Sequence, residues 1–125
     1  MKYKDISIGQ AAELAFKVTP AMVDHFIIMT GDFNRVHYGP RSIVHGMLTS
    51  AFLSTFIGMQ LPGDGSVIVS ITIKFIQPVK ANDELLIKGT VIDKSLSNKQ
   101  VTLHADVYRE GELIIASSCI VKVPE

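Results

Sequence analysis

From Ser42 to Gly63 the chain carries no Asp, Glu, Lys or Arg. An uncharged stretch of this length is either a membrane span or a helix packed inside the protein. Its content argues against the first. His45, Thr49, Ser50, Ser54, Thr55 and Gln60 are polar, two glycines fall inside it, and Pro62-Gly63 closes it. The expectation is a helix that begins near Val44–Gly46, runs to about Gln60, and is enclosed by other elements because it is apolar almost all round. Gly46, Ser50, Ser54 and Gly58 recur at every fourth position, a stripe along which a backbone or a ligand can approach closely.

The segments on either side supply what covers that helix. Residues 1–10 read as an irregular lead-in and Ala12–Val18 as a strand. Thr19-Pro20 starts a helix: a threonine hydroxyl caps free N–H groups, and proline fits the first turn. Met22, Val23, Phe26, Ile27 and Thr30 follow at helical spacing, and Gly31 can take the left-handed conformation that ends a helix. Asp32 to Val44 reads as loop. After the turn Pro62-Gly63-Asp64-Gly65 the period changes to two, with Val67, Val69, Ile71, Ile73 and Phe75 alternating with Ile68, Ser70, Thr72 and Lys74. Pro78 ends that strand. Leu85–Asp93, Gln100–Arg109 and Leu113–Val123 read as further strands, separated by Ser95–Asn98 and by the hairpin turn Glu110-Gly111. Strands joined by short loops imply an antiparallel sheet. The layout is α+β, a single domain over residues 1–125, with the apolar helix lying against a curled sheet.

Twelve basic and twelve acidic residues cancel, with no block of like charge. Neither nucleic acid nor an anionic membrane is an expected partner. The single cysteine, Cys119, lies in the apolar run Ile114–Val123 and is expected to be a small buried hydrophobe. The N-terminus, Met1-Lys2-Tyr3-Lys4-Asp5, has no apolar core of a signal peptide. Together these suggest a reducing, cytoplasmic setting.

Chemistry concentrates in Thr30-Gly31-Asp32-Phe33-Asn34-Arg35-Val36-His37, followed by His45-Gly46. A carboxylate and a neutral imidazole around one water can take a proton from it and return one to a developing carbanion. Asp32 and His37 meet only if their loop folds back, which Gly31 and Asn34 permit. The N–H of Gly46 would sit at the start of the buried helix, where unpaired amides and the helix dipole favour an anion. Each residue also has a plainer reading. Asp-x-Asn after glycine is a common turn, and a loop histidine is often only surface. His45 reads as a helix-start residue with a satisfied ring, and His25 and His104 as surface residues. Ser54 is equally a packing residue or a partner for the carboxylate. Zinc on Asp32, His37 and His45 is not supported by any paired spacing, so no metal is expected.

Taken together, Gly31-Asp32-Phe33-Asn34-Arg35-Val36-His37 resembles the signature Gly-Asp-x-Asn-Pro-x-His of the MaoC-like hot-dog family. Ile43-Val44-His45-Gly46-Met47-Leu48 and Gly58-Met59-Gln60-Leu61-Pro62-Gly63 resemble that family's central helix. The closest resemblance is to the short (R)-specific enoyl-CoA hydratases. It implies a curved antiparallel sheet around one long helix, a homodimer with two sheets side by side, an acyl-CoA substrate, and no cofactor. It also implies that Asp32 and His37 form the catalytic pair, that the Gly46 N–H receives the thioester carbonyl, that Asn34 braces the loop, and that Ser54 stands near the carboxylate. Two departures are visible. Arg35 replaces the signature proline. The overhanging segment that usually follows the histidine is missing, which implies a more open site. Two rival functions remain, a hot-dog acyl-CoA thioesterase and a non-catalytic acyl-CoA-binding module.

Overall fold

The computed structural model describes residues 1–40 and 42–125. The order of elements is β1 (Ala11–Phe16), α1 (Pro20–Thr30), α2 (Gly46–Met59), β2 (Val67–Phe75), β3 (Leu85–Ser95), β4 (Gln100–Arg109) and β5 (Glu112–Lys122). All five strands form one antiparallel sheet in the order β1-β3-β4-β5-β2. The elements match the expected ones to within a few residues. Their connection does not follow a simple meander. β2 pairs with β5, not with β3, so residues 76–84 carry the chain from one side of the sheet to the other.

Alternation along the central strands sets the core. Ile87 and Val91 of β3, Leu103, Ala105 and Val107 of β4, and Ile115, Cys119 and Val121 of β5 are buried on one face. Against them α2 lays Leu53, Phe56 and Ile57, all essentially without solvent contact. Burying side chains of this size stabilises by roughly 1.5–3 kcal/mol each. The Phe56 ring lies over Gly89 of β3, so close that a Cβ there would stand 2.3 Å from it. Phe52, one turn earlier, stacks on Phe16 of β1 with ring centroids 4.5 Å apart.

α2 is not enclosed all round. Met47, Ala51, Ser54, Thr55 and Met59 are exposed along one side, because a single sheet layer covers only the opposite side. The stripe of small residues divides accordingly. Ser50 is buried and its Oγ donates to the Met47 carbonyl at 3.1 Å, whereas Ser54 faces outward. α1 starts and ends as its sequence predicts. The Met22 N–H donates to Thr19 Oγ1 at 3.3 Å, and Gly31 has φ +73° with its N–H on the Ile27 carbonyl. Of its expected inner residues Val23 and Ile27 are buried, while Met22 and Thr30 are exposed.

Cys119 is buried as expected, and burial pushes its thiol pKa up, against a smaller opposing effect of the Ser117 hydrogen bond. The folded protein is therefore expected to leave an aromatic disulfide reagent unconsumed, with one thiol appearing on addition of denaturant. Titration of a full equivalent in the native state would contradict this burial. Among the described residues no helix is long and apolar enough to cross a membrane.

Candidate active site

Gly31 ends α1, and the chain folds back through three short-range bonds. Asp32 Oδ1 accepts from the Asn34 N–H at 3.2 Å, Asn34 Oδ1 accepts from the Val36 N–H at 3.1 Å, and the His37 N–H donates to the Asn34 carbonyl at 3.0 Å. Asn34 therefore caps the single helical turn Arg35–His37, without help from proline at position 35. The Ile43 N–H then donates to the Val36 carbonyl at 2.8 Å, which brings the chain back beside His37 within a few residues. Val44 is anchored in turn by its N–H on the Val79 carbonyl at 2.7 Å.

The short return decides the chemistry of His37. Its Nδ1 lies 2.6 Å from the Ile43 carbonyl. A carbonyl only accepts, so Nδ1 carries a proton, and in the neutral ring Nε2 is left with a free lone pair. That lone pair lies 3.8 Å from Asp32 Oδ2. The gap is too long for a direct hydrogen bond and suits one water touching both atoms. The Asp32 side chain is 48% exposed and that of His37 9%, so the carboxylate faces solvent while the imidazole is walled in.

His45, which the sequence suggested to be a satisfied helix-start residue, is in the same cluster. It occupies the position before α2 but makes no side-chain cap bond. Its Nε2 lies 3.2 Å from the Asp32 carbonyl and 3.9 Å from Asp32 Oδ2, and its ring stacks on that of His37 at 3.5 Å and 20°. Its Nδ1 has no partner among the described residues. The visible signal was its place directly before Gly46 near the start of the uncharged run. Nothing in the spacing showed that the loop would fold onto it.

The three polar groups, with Phe26, Thr30 and Met47, line a cavity of about 400 Å³. Gly46 lines a second cavity of about 280 Å³, with Ile43, Val44, Thr49 and Phe75, that has no lining residue in common with the first. As the first residue of α2, its N–H is beyond the reach of any carbonyl of the helix. A Cβ at Gly46 would stand 2.8 Å from the Phe75 ring, so glycine is what lets that ring close over the helix start. Ser54 is exposed two turns further along α2, about 12 Å from Gly46 at 1.5 Å per residue, and among the described residues it makes no hydrogen bond to Asp32. His25 and His104 are exposed, away from the cluster.

Asp32, His37 and His45 can bring one ligand atom each within 4.8 Å of the others. They are poorly arranged for zinc, whose ligands bond at about 2.0–2.1 Å in tetrahedral directions. The two rings are stacked at 3.5 Å and 20°, which restricts the directions from which both could reach one ion, and His45 Nε2 already faces the Asp32 carbonyl at 3.2 Å.

The model of the MaoC like domain matches residues 5–110. The chain belongs to the MaoC-like domain family. Within and around that family, an (R)-specific enoyl-CoA hydratase of Aeromonas caviae is 31% identical over 99% of this chain and 100% of its own length. A 3-hydroxybutyryl-CoA dehydratase of Methylorubrum extorquens is 28% identical over 98% of this chain and 84% of its own. The unliganded R-hydratase of Pseudomonas aeruginosa superposes with a TM-score of 0.91 at 28% identity, covering 99% of this chain and 86% of the other. The MaoC-like fold, a hot-dog sheet on a long helix, accounts for the architecture described above.

Proposed function

We propose that this protein hydrates trans-2-enoyl-CoA thioesters reversibly to (R)-3-hydroxyacyl-CoA, with Asp32 and His37 as the catalytic pair. The observation that carries the reading is the Ile43 carbonyl on His37 Nδ1, which leaves Nε2 basic and facing Asp32 across a gap suited to water. The water oxygen attacks the β-carbon as its proton passes to the pair. The π electrons move to the thioester oxygen, and the pair then delivers a proton to the α-carbon. The Gly46 N–H, at the positive end of α2, holds the oxygen charge between those events. Asn34 keeps the loop folded so that both side chains stay aligned. None of these steps calls for a redox or metal cofactor.

The test is spectrophotometric: loss of the conjugated enoyl absorbance with crotonyl-CoA and longer homologues. Disappearance of the absorbance with a (3R)-hydroxy product supports the proposal. Release of free thiol from a saturated acyl-CoA identifies a thioesterase instead. Buried Cys119 does not interfere with that thiol assay. Ligand-dependent thermal stabilisation without turnover identifies a binding module.

The working form we propose is a homodimer in the cytoplasm. β2 is an edge strand of nine residues with one side unpaired, and Val67, Val69, Ile71, Phe75 and the neighbouring Met47 of α2 are exposed beside it. A long apolar edge of this kind invites pairing with another copy. Light scattering after gel filtration is expected to give twice the chain mass, and Ile71→Lys to shift the protein toward monomer. A monomeric wild-type protein at micromolar concentration would refute this assembly.

A further inference from the structure

His45 is the most deeply placed member of the cluster, with its side chain only 2% exposed. Its ring lies between two others, on His37 at 3.5 Å and 20° and near Phe26 at 4.8 Å and 59°. Its Nε2 meets the Asp32 carbonyl at 3.2 Å, and since that oxygen only accepts, Nε2 bears the proton. The two stacked imidazoles are thus opposite tautomers. As neutral rings, His37 is protonated on Nδ1 with a free Nε2, while His45 is protonated on Nε2 with a bare Nδ1. Among the described residues that nitrogen is buried without a partner.

Such an arrangement is not what packing alone would select. A phenyl ring fills the slot between Phe26 and His37 equally well and leaves no unpaired nitrogen. Asp32 is exposed, so water could satisfy its carbonyl without His45. What the imidazole adds is a fixed position for that carbonyl, and through it for the carboxylate on the same residue. Buried polar groups left unpaired are retained where function needs them.

We propose that His45 is a positioning residue for the Asp32–His37 pair: its Nε2–H fixes the Asp32 backbone while its ring face fixes the plane of His37. The inference rests on the hydratase reading for its kinetic consequence, but its tautomer assignment is independent of it. Proposed to act through Asp32 and His37, His45 forms a nearly closed-off part of the cavity wall. Its loss therefore lowers turnover and leaves substrate binding largely unchanged, because a misplacement on the order of 1 Å can cost about 100-fold in rate.

The experiment combines two variants with a spectroscopic readout. His45→Phe keeps the stack and removes the N–H. His45→Gln places an amide N–H where Nε2 was. The phenylalanine variant is expected to melt no lower than wild type, to lose about 10- to 100-fold in kcat, and to hold KM within about threefold. The glutamine variant is expected to recover most of the lost kcat. Nitrogen-15 imidazole spectra of the wild type are expected to show His45 as the Nε2–H tautomer and His37 as the Nδ1–H tautomer. Wild-type kcat in His45→Phe, a glutamine variant no better than phenylalanine, or a proton on His45 Nδ1 would each overturn the inference. Absence of any hydration by wild type overturns the hydratase reading alone. The imidazole spectra, with the Asp32 carbonyl carbon-13 shift in His45→Phe, then decide whether His45 holds that carbonyl.

Discussion

Asp32→Asn and His37→Ala are each expected to lower kcat for crotonyl-CoA hydration by about 10²- to 10⁴-fold, the range associated with a positioned acid–base group. The two lesions differ in kind. Asparagine at 32 preserves the shape of the side chain and its Oδ1 bond from the Asn34 N–H, so the loop stays folded while the charge is lost. Alanine at 37 removes the free Nε2 and also the Nδ1 anchor on the Ile43 carbonyl. Because both groups face the same gap of 3.8 Å, the double variant is expected to be little worse than the poorer single one. Steady-state assays on folded variants, checked by circular dichroism, read this directly. Full activity in either single variant, or strictly multiplicative losses, would detach one of the residues from the proposed unit.

The largest effect on stability is expected at Gly89→Ala. No turn or positive φ explains glycine here, since the residue lies within β3 paired with Ala12 and Ala105. Space explains it: a Cβ would stand 2.3 Å from the Phe56 ring, which has no solvent-exposed surface to move into, and 3.5 Å from the His104 carbonyl. Overpacking of this kind costs about 1–3 kcal/mol and occasionally more. Denaturant titration is expected to show a loss near or above the top of that range. Phe56→Leu alone should also destabilise. In the Gly89→Ala background, however, it should recover part of the loss, because the smaller side chain relieves the contact. A stable Gly89→Ala protein with an unshifted midpoint would mean that the ring has another place to go.

The elements were legible because their signals are local. Thr19-Pro20 and Gly31 mark the ends of α1, and the change of period after Gly65 marks the sheet. Strand order was not legible, since nothing in β2 itself says that its partner is β5 across the sheet. The exposed side of α2 was missed for a related reason. Met47, Ala51 and Met59 look as apolar as the buried residues, and sequence does not distinguish a side covered by the chain's own sheet from one left for another surface. In the site, the folding back of residues 32–37 could be anticipated from Gly31 and Asn34. The tautomer of His37 could not, because it depends on the Ile43 carbonyl returning beside the ring. For Ser54 spacing alone left packing and support of the carboxylate equally open; the supporting role came from the family resemblance, and the residue is exposed on α2. His45 was set aside because a lone histidine before a helix has an adequate local explanation, and only its contacts with Asp32 and His37 add another.

Phe75 closes β2 and lays its ring over Gly46, while the outer margin of the same strand is unpaired. In the proposed dimer, association through β2 and the aim of the Gly46 amide would be mechanically joined, since whatever steadies the strand steadies the ring above the helix start. Turnover per subunit should accordingly depend on enzyme concentration and decline on extreme dilution, even though no side chain that reacts is lost.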